Sequence, residues 1–160
     1  MTLPAEASVA PADGGVAAPD DLLALDRQVC FALAVASRSV IALYRPLLEP
    51  MGITHPQYLV MLALWEQSPL SVKQLSGLLQ LDAGTLSPLL KRLEAVGHVT
   101  RRRDARDERA LAVELTEEGR ALREQALLVP PAIMERLGMT AEELTVLHRS
   151  LTRVIAAAAP

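Results

Sequence analysis

The sequence predicts a mainly α-helical fold with one small β-hairpin. Of the 160 residues 51% are apolar but only 2% are aromatic, so the core must be built from Leu, Ala, Val and Ile, which suit packing between helices. Apolar residues recur at three- and four-residue steps along most of the chain, as in amphipathic helices. Patterns typical of strands occur over residues 98–103 and 110–115.

The chain begins with a long helix predicted over residues 26–48, which Pro50 and Gly52 end. A second helix is predicted over residues 56–66. The first helix has more apolar surface than so small a domain can cover, so we expect its apolar side to pair with another subunit. That side comprises Leu25, Val29, Ala32, Ala36, Val40, Leu43 and Leu47.

Two short helices and a hairpin follow in one contiguous block. Ser71 is predicted to cap a helix over residues 72–79, and Asp82 is predicted to cap the next, over residues 83–96. The tight turn between them makes the pair a helix-turn-helix candidate. Gly97 ends the second helix, and the two predicted strands come directly after it. A hairpin in that position is a wing, so the block predicts a winged helix-turn-helix.

The C-terminal part is predicted to be helical again. A fifth helix begins at Thr116 and is interrupted by Pro130 and Pro131, and the spacing of Thr140 and Glu143 is a capping box that starts the last helix. The first and last helices together predict a helical dimerisation region. The apolar side of the last helix comprises Leu144, Leu147, Leu151, Val154 and Ala158.

The second helix of the helix-turn-helix has two unlike sides on a helical wheel. Its apolar side, which would dock it on the core, comprises Leu86, Leu89, Leu90, Leu93 and Val96. Its other side has small residues that permit close approach to base edges and two cations that can reach phosphates. An ordinary solvated surface is the alternative. The candidate DNA contacts are Ala83, Gly84, Thr85, Ser87, Pro88, Lys91 and Arg92.

Charge is distributed unevenly along the chain. The net charge is −3, but residues 91–109 hold seven basic and four acidic side chains, a local net charge of +3. A local basic patch on an acidic body suits a DNA-binding protein, because phosphates are neutralised locally. A solvated charged loop is the alternative. The wing contributes Arg101, Arg103 and Arg106 to this patch.

The domain organisation is predicted from composition. Residues 1–20 are rich in Pro and Ala without a basic segment or a long apolar one, so we expect a flexible tail and not a signal peptide. Residues 21–160 are predicted to form one domain, with a DNA-binding lobe at about 54–116 and dimerisation helices at about 21–49 and 117–158. Uninterrupted apolar runs are too short to span a bilayer, so we expect a cytoplasmic protein without a membrane partner.

Four segments carry a family resemblance. They are LDRQVCFAL at 25–33, ITHPQY at 53–58, LDAGTLSPLLKRL at 81–93 and DARDER at 104–109. They resemble the MarR family of winged helix-turn-helix repressors and, within it, the OhrR subgroup of organic-hydroperoxide sensors, over about residues 22–155. The resemblance implies a homodimer bound to double-stranded DNA at a pseudo-palindromic operator.

The resemblance also implies roles for three residues. It places Arg109 in the minor groove, whose negative potential attracts arginine, and Asp107 beside it as a positioning residue. It makes Cys30 the residue that an organic hydroperoxide oxidises to a sulfenic acid; this step, or a mixed disulfide with a small cellular thiol, releases the DNA. From the residues alone, Cys30 in the first turns of a helix beside apolar Phe31 is either a redox sensor or an inert small hydrophobe.

Tyr44 lies fourteen residues after Cys30, about 21 Å away along one straight helix, so it cannot touch the cysteine of its own chain. The subgroup uses the matching tyrosine as a hydrogen-bond donor across the subunit interface. A plain core or interface tyrosine is the alternative. The chain departs from the subgroup at Ala34 and His55, where tyrosines are common, and His55 is the candidate replacement donor.

Three functions therefore stay open from the sequence. They are a peroxide-sensing repressor, a MarR-type repressor released by a small aromatic ligand with Cys30 uninvolved, and a one-cysteine peroxidase. No catalytic constellation accompanies Cys30, and the single cysteine cannot form an internal disulfide. The isolated histidines His55, His98 and His148 form no metal-ligand pattern, so we expect neither a metal, a cofactor nor an enzyme.

Overall fold

Helices and strands follow one another in the order that the sequence predicts, with one additional strand and one additional helix. The additional helix, Val129–Leu137, carries Pro130 and Pro131 in its first turn, so these prolines begin a separate helix after the fifth one ends. The computed structural model describes residues 22–103 and 111–158. The described helices are α1 (Val29–Leu48), α2 (His55–Glu66), α3 (Val72–Leu79), α4 (Ala83–Ala95), α5 (Glu117–Ala126), α6 (Val129–Leu137) and α7 (Ala141–Ala158). The described strands are β1 (Leu70–Ser71), β2 (Val99–Arg103) and β3 (Leu111–Leu115). The predictions for the tail and for Arg106, Asp107 and Arg109 lie outside the described residues.

Hydrogen bonds at four helix N-termini confirm the predicted caps. In each cap a side-chain oxygen accepts from a backbone N–H three residues later, which satisfies one of the unpaired N–H groups of the first turn. The pairs are Ser71 with Gln74 (3.2 Å), Asp82 with Thr85 (2.9 Å), Thr116 with Gly119 (2.9 Å) and Thr140 with Glu143 (3.2 Å). These caps set the starts of α3, α4, α5 and α7.

The first helix begins later than the sequence predicts. Leu25–Arg27 forms a separate 3-10 turn, and α1 starts only at Val29. The break lies at Gln28, which has extended backbone angles of φ −77° and ψ 117° and donates its side-chain N–H to the Leu22 carbonyl. The predicted start at residue 26 is therefore wrong, because a local turn replaces the first helical turn. Cys30 is consequently the second residue of α1.

The sheet has three antiparallel strands in the order β1-β3-β2. The predicted hairpin is confirmed, with Val99 opposite Leu115 and Arg103 opposite Leu111. Strand β1 was not predicted, since two residues carry no readable alternation, and it exists because Leu70 pairs with Val113 of β3. This pairing attaches the wing to the start of the helix-turn-helix.

The chain divides into two compact units, Met1–Arg38 and Ser39–Pro160. In the described part of the first unit, residues 22–38, every side chain is at least partly exposed. The second unit contains a continuous core from α1 to α6, to which α4 contributes three leucines. The most completely buried core side chains include Leu48, Met61, Leu64, Leu75, Leu86, Leu90 and Leu93.

The first and last helices keep large apolar side chains exposed. Helix α7 buries none of its residues, and Val146 and Ile155 are 59% and 50% exposed. By length and composition alone, the helical segment Val29–Met51 is long and apolar enough to cross a membrane. The short uninterrupted apolar runs of the sequence did not indicate this. A helix that pairs with another subunit has the same composition, and Arg38 and Arg45 interrupt this one.

Candidate nucleic-acid interface and cysteine site

The start of α4 is held by a two-point cap. Asp82 accepts the Thr85 backbone N–H at 2.9 Å and the Thr85 hydroxyl at 2.7 Å. These hydrogen bonds from Thr85 lower the pKa of the Asp82 carboxyl, so it stays ionised at neutral pH. Three leucines on the opposite side of α4, Leu86, Leu90 and Leu93, are at most 1% exposed. Cap and core together fix which side of α4 faces solvent.

The solvent side of α4 carries the residues predicted to contact DNA. The structure exposes six of them and leaves Ser87 half-buried. The exposed residues are Ala83, Gly84, Thr85, Pro88, Lys91 and Arg92. The assignment of Val96 to the apolar side is wrong, because Val96 follows the last helical residue, adopts φ −88° and ψ 3°, and is 50% exposed. The wheel does not extend beyond the helix end, where Gly97 turns the chain with φ 82°.

The turn between α3 and α4 contains the one described non-glycine residue with positive φ. Gln80 adopts φ 52° and ψ 40°, in the left-handed region that glycine occupies most easily. The turn is closed by the Leu81 backbone N–H, which donates to the Ser76 carbonyl at 3.1 Å. The angle between α3 and α4 therefore depends on a conformation that is mildly unfavourable for glutamine.

Arg101, a predicted DNA contact, is engaged by an acidic residue. Its Nε donates to Glu94 Oε2 at 2.8 Å, its Nη2 bonds the same oxygen, and its backbone N–H donates to Oε1 at 3.2 Å. The hydrogen bonds from Arg101 lower the pKa of Glu94. This ion pair ties the last turn of α4 to β2. Sequence reasoning counted Glu94 only as a charge, because the contact exists only where β2 passes the end of α4.

A second acidic residue lies on the neighbouring strand. Glu114 of β3 pairs with Arg102 of β2 at 3.8 Å and with Arg120 of α5 at 3.7 Å. Arg103, at the end of β2, is exposed. The structure therefore places Arg103 at the surface and engages Arg101 and Arg102 in ion pairs, a distinction that sequence charge counts do not make.

The base of the wing is fixed to the end of α4 through the start of α5. The Thr116 hydroxyl donates to the Gly97 carbonyl at 2.6 Å, and the Trp65 indole N–H donates to the Gly119 carbonyl at 2.8 Å. Any side chain at position 119 would place its Cβ 2.0 Å from the His98 carbonyl oxygen, so only glycine fits there. The close packing of Gly119 against His98 was not predicted, because no sequence spacing relates these two positions.

Cys30 and Phe31 lie in the first turn of α1. The Cys30 side chain is exposed, and Phe31 is 39% exposed. The expectation of a buried cysteine, under the alternative of an inert small hydrophobe, is therefore wrong for the single chain. The first turn of a helix presents unpaired backbone N–H groups, an environment that suits cysteine chemistry.

Tyr44 and His55 come together in the second unit. Their ring centroids are 4.8 Å apart with the rings at 68°. Burial raises the pKa of Tyr44 and lowers the pKa of His55, so at neutral pH Tyr44 keeps its proton and His55 is uncharged. Both are then neutral hydrogen-bonding groups, as a donor site beside a reactive sulfur requires.

A partly open cavity of about 330 Å³ lies between α2, α5 and the start of α6. Its walls are mainly apolar, with one acidic and one basic residue at its edge. The lining residues are Tyr58, Leu62, Trp65, Glu66, Arg123, Ala126, Leu127 and Pro130. This cavity could not be predicted from the sequence, because its walls come from two separate parts of the chain.

Comparisons with known proteins agree with this geometry. Residues 42–125 match the family model described as transcriptional regulator SarA/Rot. The organic hydroperoxide resistance transcriptional regulator of Bacillus subtilis is 43% identical over 131 residues, which cover 82% of this chain and 89% of the relative.

Solved structures give the same result. The structure of overoxidized AbfR bound to DNA is 34% identical in sequence, with a TM-score of 0.68, and the match covers 83% of this chain and 93% of that chain. The structure of reduced AbfR bound to DNA has a TM-score of 0.69 at the same identity and coverage. The AbfR protein is from Staphylococcus epidermidis. A mutant MarR from E. coli complexed with operator DNA has a TM-score of 0.74 at 26% identity, over 84% of this chain and 98% of that chain.

The capped α4, the helix-turn-helix and the β2–β3 hairpin define a winged helix-turn-helix transcriptional regulator, a class of DNA-binding proteins and not of enzymes. The chain belongs to the MarR family of these regulators, in the organic-hydroperoxide regulator (OhrR) subgroup that its sequence motifs indicate.

Proposed function

We propose that this regulator is a cytoplasmic homodimeric repressor that binds a pseudo-palindromic operator and releases it when an organic hydroperoxide oxidises Cys30. The observation that carries the proposal is the 43% identity to an organic hydroperoxide resistance regulator, in a chain whose single cysteine is exposed in the first turn of α1. DNA binding follows from the class of protein, whereas repression and the redox step are the proposal.

The DNA-binding surface supports this function. Helix α4 presents small residues at its N-terminal end, where base edges are read, and Lys91 and Arg92 further along, where phosphates lie. We assign Arg103 and Arg106 to the phosphates beside the wing, and Arg109, positioned by Asp107, to the minor groove. Arg101 differs from this set, because Glu94 engages its guanidinium, and we infer that it positions the wing.

The exposed apolar helices support a homodimer. Helix α7 buries none of its residues, and α1 leaves Val29, Phe31 and Ile41 exposed in the single chain, whereas Leu43 and Leu47 of the predicted apolar side pack against the chain's own core. Burying the exposed apolar surface against a second copy is strongly favourable. A two-fold dimer presents two α4 helices to two half-sites, so the operator is expected to be a pseudo-palindrome.

The redox step is a two-electron oxidation of sulfur. The Cys30 thiolate attacks the distal peroxide oxygen, an S–O bond forms, the O–O bond breaks, and the alcohol leaves after taking a proton, which gives a sulfenic acid. A small cellular thiol then attacks this sulfur and displaces the hydroxyl as water, which gives a mixed disulfide. The disulfide adds a bulky group that a packed subunit interface cannot hold, so the interface must repack and the α4 spacing changes.

The neighbours of the sulfur are assigned by the resemblance and by chemistry. Tyr44 of the partner subunit would donate its hydroxyl to Cys30, while Phe31 would give the peroxide an apolar surrounding. His55, in contact with Tyr44, would supply the second donor where the subgroup has tyrosine. Ala34 supplies none, so a sulfenic acid alone is expected to be tolerated and release to require the added thiol.

The deciding experiment follows operator release and intact mass together. The protein is bound to the DNA upstream of its own gene and treated with an organic hydroperoxide, with and without a small thiol. We expect lasting release only with both reagents and only when the mass shows a mixed disulfide, and we expect Cys30→Ser to stay bound. Release of Cys30→Ser by the same treatment contradicts the redox function. Complete release with one added oxygen contradicts the thiol requirement alone.

The cavity beside Tyr58 and Trp65 favours a second candidate function, a repressor released by a small aromatic ligand. Its volume of about 330 Å³ and apolar walls are of the size and chemistry that such ligands need. A small aromatic acid that releases wild type and Cys30→Ser equally, without oxidant, would establish this alternative.

A further inference from the structure

A series of aromatic rings runs through the second unit. The Tyr44 ring of α1 lies 5.9 Å from the Tyr58 ring, and the Tyr58 ring lies 6.3 Å from the Trp65 ring, both on α2. Tyr58 is 3% exposed and cannot shift without moving a neighbour. The series therefore connects the predicted sensing tyrosine to the C-terminal part of α2 by direct contact.

The last ring of the series is bonded to the base of the wing. The Trp65 indole N–H donates to the Gly119 carbonyl, and Gly119 packs against the His98 carbonyl with no room for a side chain. The same His98 carbonyl accepts the Thr116 backbone N–H at 3.1 Å. Since His98 lies in the short segment between the end of α4 at Ala95 and the start of β2 at Val99, a displacement of Gly119 must displace this segment.

The cavity gives these rings space to move. Tyr58 and Trp65 both line it, together with Leu62, Arg123 and Pro130. Close-packed interiors resist small displacements, but side chains beside an open volume of about 330 Å³ can adopt a second arrangement.

We propose that Trp65 is the positioning residue through which a displacement of Tyr44 reaches the base of the wing. Modification of Cys30 moves Tyr44, the ring series shifts toward the cavity, and the Trp65–Gly119 hydrogen bond transfers the shift to the segment that holds β2 against α4. The proposal rests on the proposed redox function, because it takes Tyr44 as the side chain next to the reacting sulfur.

The single tryptophan of the chain reports on this step directly. Fluorescence of Trp65 is measured in the DNA-free dimer before and after treatment with hydroperoxide and thiol, with modification of Cys30 followed by mass. We expect the emission to shift in wild type as the mixed disulfide forms, and we expect no shift in Cys30→Ser. Tyr44→Leu removes the first ring and also the proposed donor to Cys30, so its emission shift is compared with wild type at equal extents of Cys30 modification, where we expect it to be smaller.

The matched variant is Trp65→Phe, which keeps an aromatic ring but removes the indole donor. The measured quantity is the ratio of operator affinities before and after mixed-disulfide formation, which cancels any change in the affinity of the reduced form, and we expect this ratio to be about tenfold smaller than in wild type. Leu62→Ala, on the cavity wall but outside the ring series, is the control and should lose affinity on modification as wild type does.

The outcomes separate the two proposals. If wild type is modified and released while Trp65 emission stays constant, or if Trp65→Phe is released as fully as wild type, the role of Trp65 is overturned and the redox function stands. If Cys30 is not modified, or wild type stays on the operator when it is, the redox function itself fails. Should Trp65→Phe not fold, the wild-type fluorescence decides alone.

Discussion

Replacing Glu94 by Gln tests whether the ion pair with Arg101 positions the DNA-binding elements. The substitution keeps the size of the side chain and one acceptor oxygen but removes the charge. Long-range electrostatics alone predicts tighter DNA binding, because a negative charge leaves a segment of net charge +3. If the ion pair positions the wing, the substitution should instead weaken operator binding, because Arg101 would hold β2 less firmly against the end of α4.

The structure decides which effect is larger. The side chains of Arg101 and Glu94 are 25% and 36% exposed, so solvent screens the pair and its loss should cost about 0.5–1 kcal/mol of stability. A misplaced base-edge contact costs more, about 1–3 kcal/mol per position, and it affects only the operator. We therefore expect Glu94→Gln to weaken operator binding by about tenfold while binding to random DNA stays equal or tightens.

The stability effect has a defined pH dependence. The pKa of Glu94 is lowered in the folded protein, so the stability it contributes is fully present above its ordinary value of about 4.3 and is lost as pH falls through the lowered value. Denaturant unfolding of wild type and Glu94→Gln should therefore differ at pH 7, and the difference should disappear as pH falls below the lowered pKa of Glu94.

The assay measures dissociation constants for operator and random DNA at one salt concentration. Glu124→Gln, which removes the same charge from an exposed position on α5, is the control and should leave the ratio of the two constants unchanged. If Glu94→Gln also leaves that ratio unchanged, or binds the operator more tightly, the positioning argument is refuted.

Three further outcomes are expected. Gln80→Gly should raise the free energy of unfolding in denaturant by up to about 1 kcal/mol by relieving the left-handed conformation, and a loss of stability would contradict this. Lys91→Ala should weaken binding to the operator and to random DNA alike, and it should reduce the salt slope of binding by about one. Arg109→Ala should weaken binding to the operator more strongly. Unchanged operator binding by Arg109→Ala would show that the wing is misplaced. Sedimentation should show a dimer at micromolar concentration, and a stable folded monomer would disprove the roles of α1 and α7.

Most of the fold could be predicted because its signals are local. The caps at Ser71, Asp82, Thr116 and Thr140 each act within three residues, so the sequence displays them directly. The solvent side of α4 was predictable for the same reason, since helical period relates its residues. Where the helix ended, as at Val96, the period no longer applied and the prediction was wrong.

Contacts between distant segments were not predictable. Strand β1 exists only because β3 lies beside it, and the Glu94–Arg101 pair exists only because β2 passes the end of α4. The Trp65–Gly119 hydrogen bond joins residues fifty-four positions apart. Each depends on the assembled fold, so a single sequence shows the residue types but not the pairing. The sequence allowed candidate positions for DNA contact to be identified, but it did not show which arginines form ion pairs within the fold.

The acidic residues explain how a chain of net charge −3 can present a DNA-binding surface. Asp82 caps α4, Glu94 holds Arg101, and Glu114 lies between Arg102 and Arg120, so each of these carboxylates is bound to a partner within the fold. The Glu94–Arg101 pair has no net charge, the Glu114 group keeps one net positive charge, and Asp82 stays ionised as the cap of α4, so these carboxylates orient the elements that carry the other cations. Under the proposed function we expect affinity to depend on Lys91, Arg92 and the wing arginines Arg103, Arg106 and Arg109, with each phosphate contact adding about 0.9 to the salt slope. Removing a positioning carboxylate should therefore alter sequence preference, whereas removing a phosphate-facing cation should alter the salt slope.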